Sequence, residues 1–324
     1  MGGSGALERL EREHEGKVAI VLPALNEEQG IGQVLSEVAQ ALQNRKHELL
    51  VVDGKSQDHT ADIARSKGAQ LITQEGTGYG DALQYGFSHA CEYLDASELI
   101  MMDADGSYRA DDIPELLGPI DRGDADIVIG NRFAGLEKGS MSITSQIGNK
   151  ILSLSARWAL KVKISDTQCG MRALRAEVWR SLDTKTTGMP FAIEMIAEAR
   201  EMGFKMCEMP IGYRRRIGHS KLSPIGDGTR ILATTLRLAR DYQPLAFFGT
   251  LGATVIALGI VQGTSVLEEY LRTGAITRLA SVVLSSTLIV SGVLVLILGL
   301  IADMIRDLKH FVRRPQVWSA ESCI

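Results

Sequence analysis

Two long uncharged segments near the C-terminal end constrain this chain more than any other feature. The first covers 17 residues, Leu245–Val261, and the second covers 23 residues, Leu279–Ile301. A helix rises about 1.5 Å per residue and the hydrocarbon core of a bilayer is about 30 Å thick, so about 20 apolar residues span it. The second segment is long enough, and the first becomes so when Gln262 and Gly263 are added. We therefore predict two transmembrane helices, at about 245–263 and 279–301, although a buried hairpin of a soluble core stays open as the alternative.

Basic residues flank this pair of segments on one side. They precede the first segment and follow the second, at Arg230, Arg237, Arg240, Arg306, Lys309, Arg313 and Arg314. The loop between the segments has only Arg272 and Arg278, which two glutamates offset. By the positive-inside rule both termini are expected in the cytoplasm. The first residues carry no apolar signal-peptide region, which also favours an N-terminal part that stays in the cytoplasm.

Before residue 226 the sequence alternates between two patterns. Short apolar, β-branched runs are followed by stretches with apolar residues at helical spacing, such as 31–42. The runs expected to be strands are 17–23, 48–52, 70–73, 98–102 and 125–129. This alternation predicts an α/β domain with a mainly parallel sheet and helices on both of its faces.

Polar residues follow three of these predicted strands. Asn26 and Glu27 follow the first, Asp53 follows the second, and Asp103 and Asp105 follow the fourth. Ligands of open α/β sheets bind beyond the carboxyl ends of the strands, so we expect these side chains to share one site. Two carboxylates one residue apart can share Mg²⁺ or Mn²⁺ with phosphate oxygens, and such an ion assists departure of a diphosphate.

Composition and missing motifs exclude other classes of function. A net charge of −4 offers no argument for nucleic acid as a partner. The four cysteines form no CxxC pair, which favours reduced thiols over a disulfide framework or a zinc site. The first predicted strand is followed by PALNEE rather than GxGxxG, which argues against a dinucleotide-dependent dehydrogenase.

Six motifs in a fixed order carry a resemblance to a known family. They are Pro23–Glu28 (PALNEE), Val51–Thr60 (VVDGKSQDHT), Asp103–Asp105 (DAD), Gly130–Phe133 (GNRF), Ser165–Arg172 (SDTQCGMR) and Arg214–Leu222 (RRRIGHSKL). Together they resemble the family 2 glycosyltransferases with the GT-A fold. Within that family they are similar to the polyprenyl-phosphate branch, which includes dolichyl-phosphate mannose synthases and bacterial polyisoprenyl-phosphate glucosyltransferases.

The resemblance implies a set of site residues. Those expected to bind the donor are Pro23, Ala24, Asn26, Glu27, Asp53, Ser56, Gly78, Asp81, Asp103 and Ala104. Those expected to hold the metal are Asp103 and Asp105, and those expected to receive an acceptor phosphate are Arg132, Arg214, Arg216 and Lys221. The candidate catalytic residues are Asp105, Asp166, Arg132 and Glu194. Gly54 and Lys55 stand where the family often has a second acid, so the identity of the nucleotide stays open.

The activity that the resemblance implies is the inverting transfer of a hexose to a lipid phosphate. The donor would be GDP-mannose, UDP-glucose or UDP-N-acetylglucosamine, and the acceptor dolichyl or polyprenyl phosphate in a membrane. A phosphate acceptor is already ionised, so Asp166 and Glu194 could orient the metal, the sugar or the acceptor instead of acting as a base. A homo-oligomer stays open.

Two other functions are considered. A processive polysaccharide synthase usually carries a QxxRW segment, whereas here Leu154 precedes Arg157 and Trp158 at that spacing. A membrane module that binds a nucleotide sugar without catalysis would be expected to lose acids that this chain retains. The expected organisation is a flexible tail (1–16), a catalytic domain (17–225), an amphipathic interfacial helix (226–243), the two transmembrane helices (244–302) and a cytoplasmic basic tail (303–324).

Overall fold

The computed structural model describes residues 16–137, 139–218 and 224–313. It divides into two compact units, with the division between Thr235 and Leu236. The first 15 residues of the predicted tail, the predicted phosphate ligand Lys221, and residues 314–324 lie outside the described residues.

The first unit is built on a sheet of seven strands, in the order β3-β2-β1-β4-β6-β5-β7. The strands are β1 (Val18–Ala24), β2 (His47–Asp53), β3 (Gln70–Thr73), β4 (Glu98–Met101), β5 (Ile127–Leu136), β6 (Arg172–Arg175) and β7 (Met206–Tyr213). All neighbouring pairs are parallel except those of β6, which runs antiparallel to β4 and β5. The predicted mainly parallel α/β sheet is confirmed.

Helices cover this sheet. The residues of β1 from Val18 to Leu22 are fully buried, as expected for a parallel strand with helices on both faces. The helices of the first unit are α1 (Ile31–Ala41), α2 (Thr60–Ser66), α3 (Tyr79–Tyr93), α4 (Ile113–Asp121), α5 (Ile143–Leu160), α6 (Ala176–Ser181) and α7 (Phe191–Glu201). Helix α8 (Pro224–Tyr242) follows them and continues past the division between the units.

Three features of the sheet differ from the sequence-based expectation. Strand β5 continues to Leu136, so the GNRF segment lies in a strand. Strands β6 and β7 were not predicted. The sequence of β6 is only four residues long with an arginine at each end, and β7 is a half-buried edge strand that contains Pro210. Neither has the apolar pattern that marks the central strands.

The second unit contains two long helices, α9 (Pro244–Thr273) and α10 (Leu279–Arg313). Both are long and apolar enough to cross a membrane. Small residues let them approach closely, since a Cβ atom at Gly252 would lie 2.7 Å from the Gly292 carbonyl oxygen and one at Gly259 would lie 2.8 Å from Ile289. Close backbone approach at glycines is typical of helix pairs in membranes.

Candidate active site

The acidic pair lies directly after β4, at the edge of the sheet where the neighbouring strands β1 and β2 also end. Asp103 Oδ1 accepts a hydrogen bond from the Tyr79 hydroxyl at 2.8 Å, and Asp105 Oδ1 accepts one from the Ser107 N–H at 2.9 Å. Ala104 between them is buried. Burial first, and the charge of Asp105 second, raise the pKa of Asp103 to about 7. Two carboxylates in so poorly solvated a place repel each other, so the pair favours a bound cation.

A divalent cation fits this pair chemically. Carboxylate oxygens are preferred ligands of Mg²⁺ and Mn²⁺, and Mg²⁺ usually keeps phosphate oxygens and water in the rest of its shell. Within the described ranges, no group of three or more His, Cys, Asp and Glu side chains is arranged to hold a metal. An ion at Asp103 and Asp105 would therefore take further oxygen ligands from a bound molecule, as a diphosphate can provide.

A glycine in the loop before β6 permits the close packing around Asp103. A Cβ atom at Gly170 would lie 2.9 Å from Asp103 Oδ2 and 3.0 Å from the Tyr79 hydroxyl oxygen. The Gly170 N–H also donates a hydrogen bond to the Tyr108 hydroxyl at 2.8 Å. Any larger residue at this position would push the loop or the carboxylate away.

We expect Gly170→Ala to lower the free energy of unfolding by about 1–3 kcal/mol, because its methyl group overpacks the contact with Asp103. The measurement is the midpoint of thermal unfolding of the purified protein. Gly148→Ala is the matched control, since a Cβ atom there would meet nothing within 4 Å and alanine favours the helix α5 that contains it. An unchanged midpoint for Gly170→Ala would contradict the packing described here.

Arg216 joins the ends of two strands. Its Nη2 lies 3.2 Å from Glu27 Oε1, after β1, and 3.5 Å from Asp105 Oδ2, after β4. Its Nε is buried and has no hydrogen-bond partner among the residues that the structure describes. A guanidinium that still has a donor to satisfy, beside an acidic pair, is suited to a phosphate oxygen.

Arg132 and Asp166 form a buried pair with two-point contact. Arg132 Nε lies 2.7 Å from Asp166 Oδ2 and Arg132 Nη2 lies 2.8 Å from Oδ1, and the backbone N–H of Arg132 donates to Oδ2 as well. Asp166 is fully buried, and the guanidinium of Arg132 lies 5.5 Å from the centre of the Tyr213 ring. Both carboxylate oxygens of Asp166 therefore accept hydrogen bonds from Arg132, and this acid holds the guanidinium in place.

The ends of β1 and β2 are joined by hydrogen bonds near Asp53. Asn26 donates its backbone N–H to Ser56 Oγ at 2.9 Å, and its side-chain oxygen accepts an N–H from the loop after β2 at 2.7 Å. Ser56 N–H is 3.3 Å from both oxygens of Asp53. Pro23 and Ala24 lie in β1, where Ala24 pairs with Asp53. The predicted donor residues of these two strands are thus brought together, with a carboxylate suited to ring N–H groups or ribose hydroxyls.

Asp81 and Glu194, two further predicted site residues, accept hydrogen bonds from other protein groups. Asp81 Oδ2 accepts a hydrogen bond from Gln74 at 2.6 Å, and the same Gln74 side chain donates to the Gly78 carbonyl oxygen at 2.8 Å. Glu194 accepts the N–H of Thr186 at 2.8 Å. The loop that contains Thr186 packs against the start of α3. Glu194 therefore shapes the Gly78 side of the site through this loop.

The predicted phosphate ligand Arg214 has protein partners in this structure. Its Nε donates to the Gly106 carbonyl oxygen at 2.5 Å, and its Nη2 lies 2.7 Å from Glu37 Oε2. The backbone N–H of Arg214 also donates to the Ser107 carbonyl oxygen at 2.9 Å. Arg214 therefore fixes the loop that carries Asp105, and Arg216 is the arginine of this segment that lies against the acidic pair.

Sequence reasoning gave no role to Tyr79, Tyr108 or Arg172. The guanidinium of Arg172 is fully buried and donates to the carbonyl oxygens of Thr167 at 2.9 Å and Ala192 at 2.6 Å, and burial lowers its pKa. It thereby ties the loop before β6 to the start of α7. The sequence pattern that could have indicated this role is an arginine between apolar residues at the start of a short strand.

A metal-compatible acidic pair beyond a parallel sheet, with arginines beside it, is the arrangement expected of a GT-A nucleotide-sugar transferase. The Glycosyl transferase family 2 profile matches residues 19–182, and the chain belongs to this family. It is 31% identical over 296 residues to the glycosyltransferase AglJ of Haloferax volcanii, covering 90% of this chain and 95% of that protein. It is also 34% identical to a dolichyl-phosphate hexose transferase of the same organism, covering 66% of this chain and 90% of that protein.

A solved structure shares the fold. Glucosyl-3-phosphoglycerate synthase from Mycobacterium tuberculosis, in complex with Mn²⁺, uridine diphosphate and phosphoglyceric acid, superposes with a TM-score of 0.58 at 22% identity. The match covers 71% of this chain and 82% of that one. The predicted GT-A fold is thereby confirmed, and the family match confirms the glycosyltransferase class.

Proposed function

We propose that this glycosyltransferase moves one hexose from a nucleotide sugar to the phosphate of a dolichyl or polyprenyl phosphate, with inversion at the anomeric carbon. The observation that carries the proposal is the placement of Arg216 against Asp105, with the charge of Arg132 also acting on Asp103. Such a site has acids for a metal and cations for phosphate. The name of the Haloferax dolichyl-phosphate hexose transferase supports a lipid phosphate as the acceptor.

On the donor side, Asp53, Ser56 and Asn26 would bind the nucleoside, and Glu27 would hold Arg216 near the diphosphate. Mg²⁺ or Mn²⁺ at Asp103 and Asp105 would neutralise the charge that develops on the departing diphosphate. The Mn²⁺ and uridine diphosphate bound by the mycobacterial synthase support this choice of ligands. GDP-mannose, UDP-glucose and UDP-N-acetylglucosamine all remain candidate donors.

On the acceptor side, Arg132 would face the attacking phosphate. A phosphate monoester is ionised near neutral pH and attacks without losing a proton first, so a strong general base is not required. The use of both Asp166 oxygens by Arg132 agrees with this chemistry. Arg132 is charged and held by a two-point contact, which suits it to orient an anion.

The lipid acceptor requires a membrane, and we propose that α9 and α10 span it. Their length and apolar composition are sufficient. Arginines before α9 and in the C-terminal part of α10 favour the cytoplasmic side for both ends of the pair. On this proposal the first unit works in the cytoplasm.

The test is a comparison of donors. Protein reconstituted in vesicles that contain polyprenyl phosphate is incubated with radiolabelled GDP-mannose, UDP-glucose or UDP-N-acetylglucosamine, with Mn²⁺ present. We expect label in the organic extract with one of these donors, and none when a chelator removes the metal. Label only in a large polymer would instead indicate a processive synthase, and intact donors throughout would indicate a binding module without catalysis.

A further inference from the structure

Helix α5 carries an exposed apolar stripe that the proposed function does not use. Its five members are 49% to 74% exposed and are Ile143, Ile147, Ile151, Leu154 and Trp158. At about 100° per residue, these positions fall within an arc of about 80° on the helix surface. Isolated apolar residues on a surface are ordinary, but a continuous stripe over four turns indicates an interaction surface.

The opposite face of α5 is packed into the first unit. Ser153, Ala156, Ala159 and Leu160 are buried, and their mean direction is about 170° from that of the stripe on a helix of 3.6 residues per turn. Ser142 caps the helix by accepting the Ser145 N–H at 3.1 Å. The helix is therefore fixed by its inner face, and the stripe is left facing outward by the fold.

The charged residues of the segment that contains the stripe all have one sign. Between Glu137 and Asp166 the sequence has no acidic residue. It has five basic ones there, Lys138, Lys150, Arg157, Lys161 and Lys163. On the helix, Lys150 and Arg157 are exposed and lie along one edge of the stripe, and the exposed Lys161 directly follows the last helical residue. This segment is electrostatically complementary to an anionic surface.

We infer that the stripe of α5 lies in the surface of an anionic lipid bilayer, with its apolar side chains among the acyl chains and its cations at the headgroups. A narrow apolar face bordered by lysine and arginine, with an amphipathic tryptophan, is the pattern of an interfacial helix. The same chain carries two helices of membrane-span type, and on the proposal that they span a membrane they would keep a bilayer within reach of the first unit. The inference gives the first unit a lipid contact of its own, separate from the predicted interfacial helix at 226–243.

This contact reaches the candidate site through one short connection. On the inner face of α5, Ser153 Oγ lies 3.2 Å from both the backbone nitrogen and the hydroxyl oxygen of Thr167. Thr167 follows Asp166, which holds Arg132. Lipid docking of α5 thus supports the loop that positions the cation proposed to face the acceptor phosphate.

The depth of α5 can be measured on the full chain in vesicles of phosphatidylcholine and phosphatidylglycerol. A nitroxide label is placed on Leu154→Cys, within the stripe, or on its neighbour Ser155→Cys, which points about 100° away. Cys91, Cys207 and Cys323 are replaced by serine. Cys169 can be retained, because it is buried and burial raises the pKa of its thiol to about 12, so that it does not react.

We expect the label at Leu154→Cys to collide with oxygen more, and with a water-soluble nickel chelate less, than the label at Ser155→Cys. Equal collision ratios at the two positions would overturn the inference. Dipolar broadening of the label at Leu154→Cys, together with collision ratios that place it outside the bilayer, would also overturn the inference. That result would assign the stripe to a contact with a second copy of the chain. Neither readout requires catalysis, so a failure here is distinct from a failure of the proposed function.

The coupling to the site is tested with a matched pair of charges. Ile151→Asp places a carboxylate in the stripe, whereas Ser155→Asp places one beside it on the same helix. We expect Ile151→Asp to lose most of the transfer to lipid phosphate in vesicles. Its affinity for the nucleotide should equal that of Ser155→Asp. Equal transfer by the two variants would overturn the coupling.

Discussion

Asp105→Asn is expected to reduce transfer to lipid phosphate by about a thousandfold or more, because a metal-bound diphosphate contributes several kcal/mol of transition-state stabilisation and each 1.36 kcal/mol is worth tenfold in rate. Asparagine keeps the shape of the side chain and removes the charge that the cation needs. The measurement is the initial rate of label incorporation into lipid, together with Mn²⁺ binding in the presence of the nucleotide.

This loss should occur without a loss of stability. Asp105 repels Asp103, whose pKa is raised partly by that charge, and Arg216 keeps its contact with Glu27 in the variant. The thermal midpoint of Asp105→Asn should therefore equal or exceed that of the original protein. Asp111→Asn is the control, because Asp111 is an exposed acid in the connection between β4 and α4 that also contains Asp105. A transfer rate within tenfold of the original would remove Asp105 from the proposed metal site.

Asp166→Asn is expected to lower the free energy of unfolding by about 3–5 kcal/mol, because it leaves the guanidinium of Arg132 buried without its counter-charge. For a unit of about 200 residues this corresponds to a fall of about 6–20 °C in the thermal midpoint. Transfer should fall as well, since Arg132 loses its orientation. The exposed pair of Arg122 and Asp124 provides the control, and Asp124→Asn should change stability by less than about 1 kcal/mol.

A double variant separates positioning from catalysis. Arg132→Met combined with Asp166→Asn removes both buried charges, and the asparagine oxygen can still accept the backbone N–H of residue 132. We expect most of the lost stability to return while transfer stays low, because the cation that faces the phosphate is gone. If Asp166 acted as a base, Asp166→Asn alone would abolish transfer at nearly unchanged stability, and that result would contradict the role described here.

Local sequence patterns were sufficient for the parallel part of the sheet and for the place of the site. The runs that became β1, β2 and β4 are short, apolar and followed by polar residues, so their ends could be expected at one edge. The long uncharged segments likewise required helices of membrane-span type. In both cases the physical signal is contained in a few consecutive residues.

The side-chain contacts within the site could not be predicted from such local patterns. Arg132 and Asp166 were each assigned a separate role. They lie 34 residues apart in the sequence, yet they form one buried pair. Tyr79 reaches Asp103 across 24 residues and Gly170 closes against both. Contacts of this kind depend on how the loops after β4 and before β6 fold over the sheet, and periodicity carries no information about them.

The most direct test of the central proposal compares two acceptors that differ in one group. The reconstituted protein receives its preferred radiolabelled donor and either a polyprenyl phosphate or the polyprenol of the same chain length. We predict that label enters the lipid extract with the phosphate alone, because Arg132 and Arg216 would hold an anion and both oxygens of Asp166 already accept hydrogen bonds from Arg132. Equal labelling of the two lipids would contradict that account.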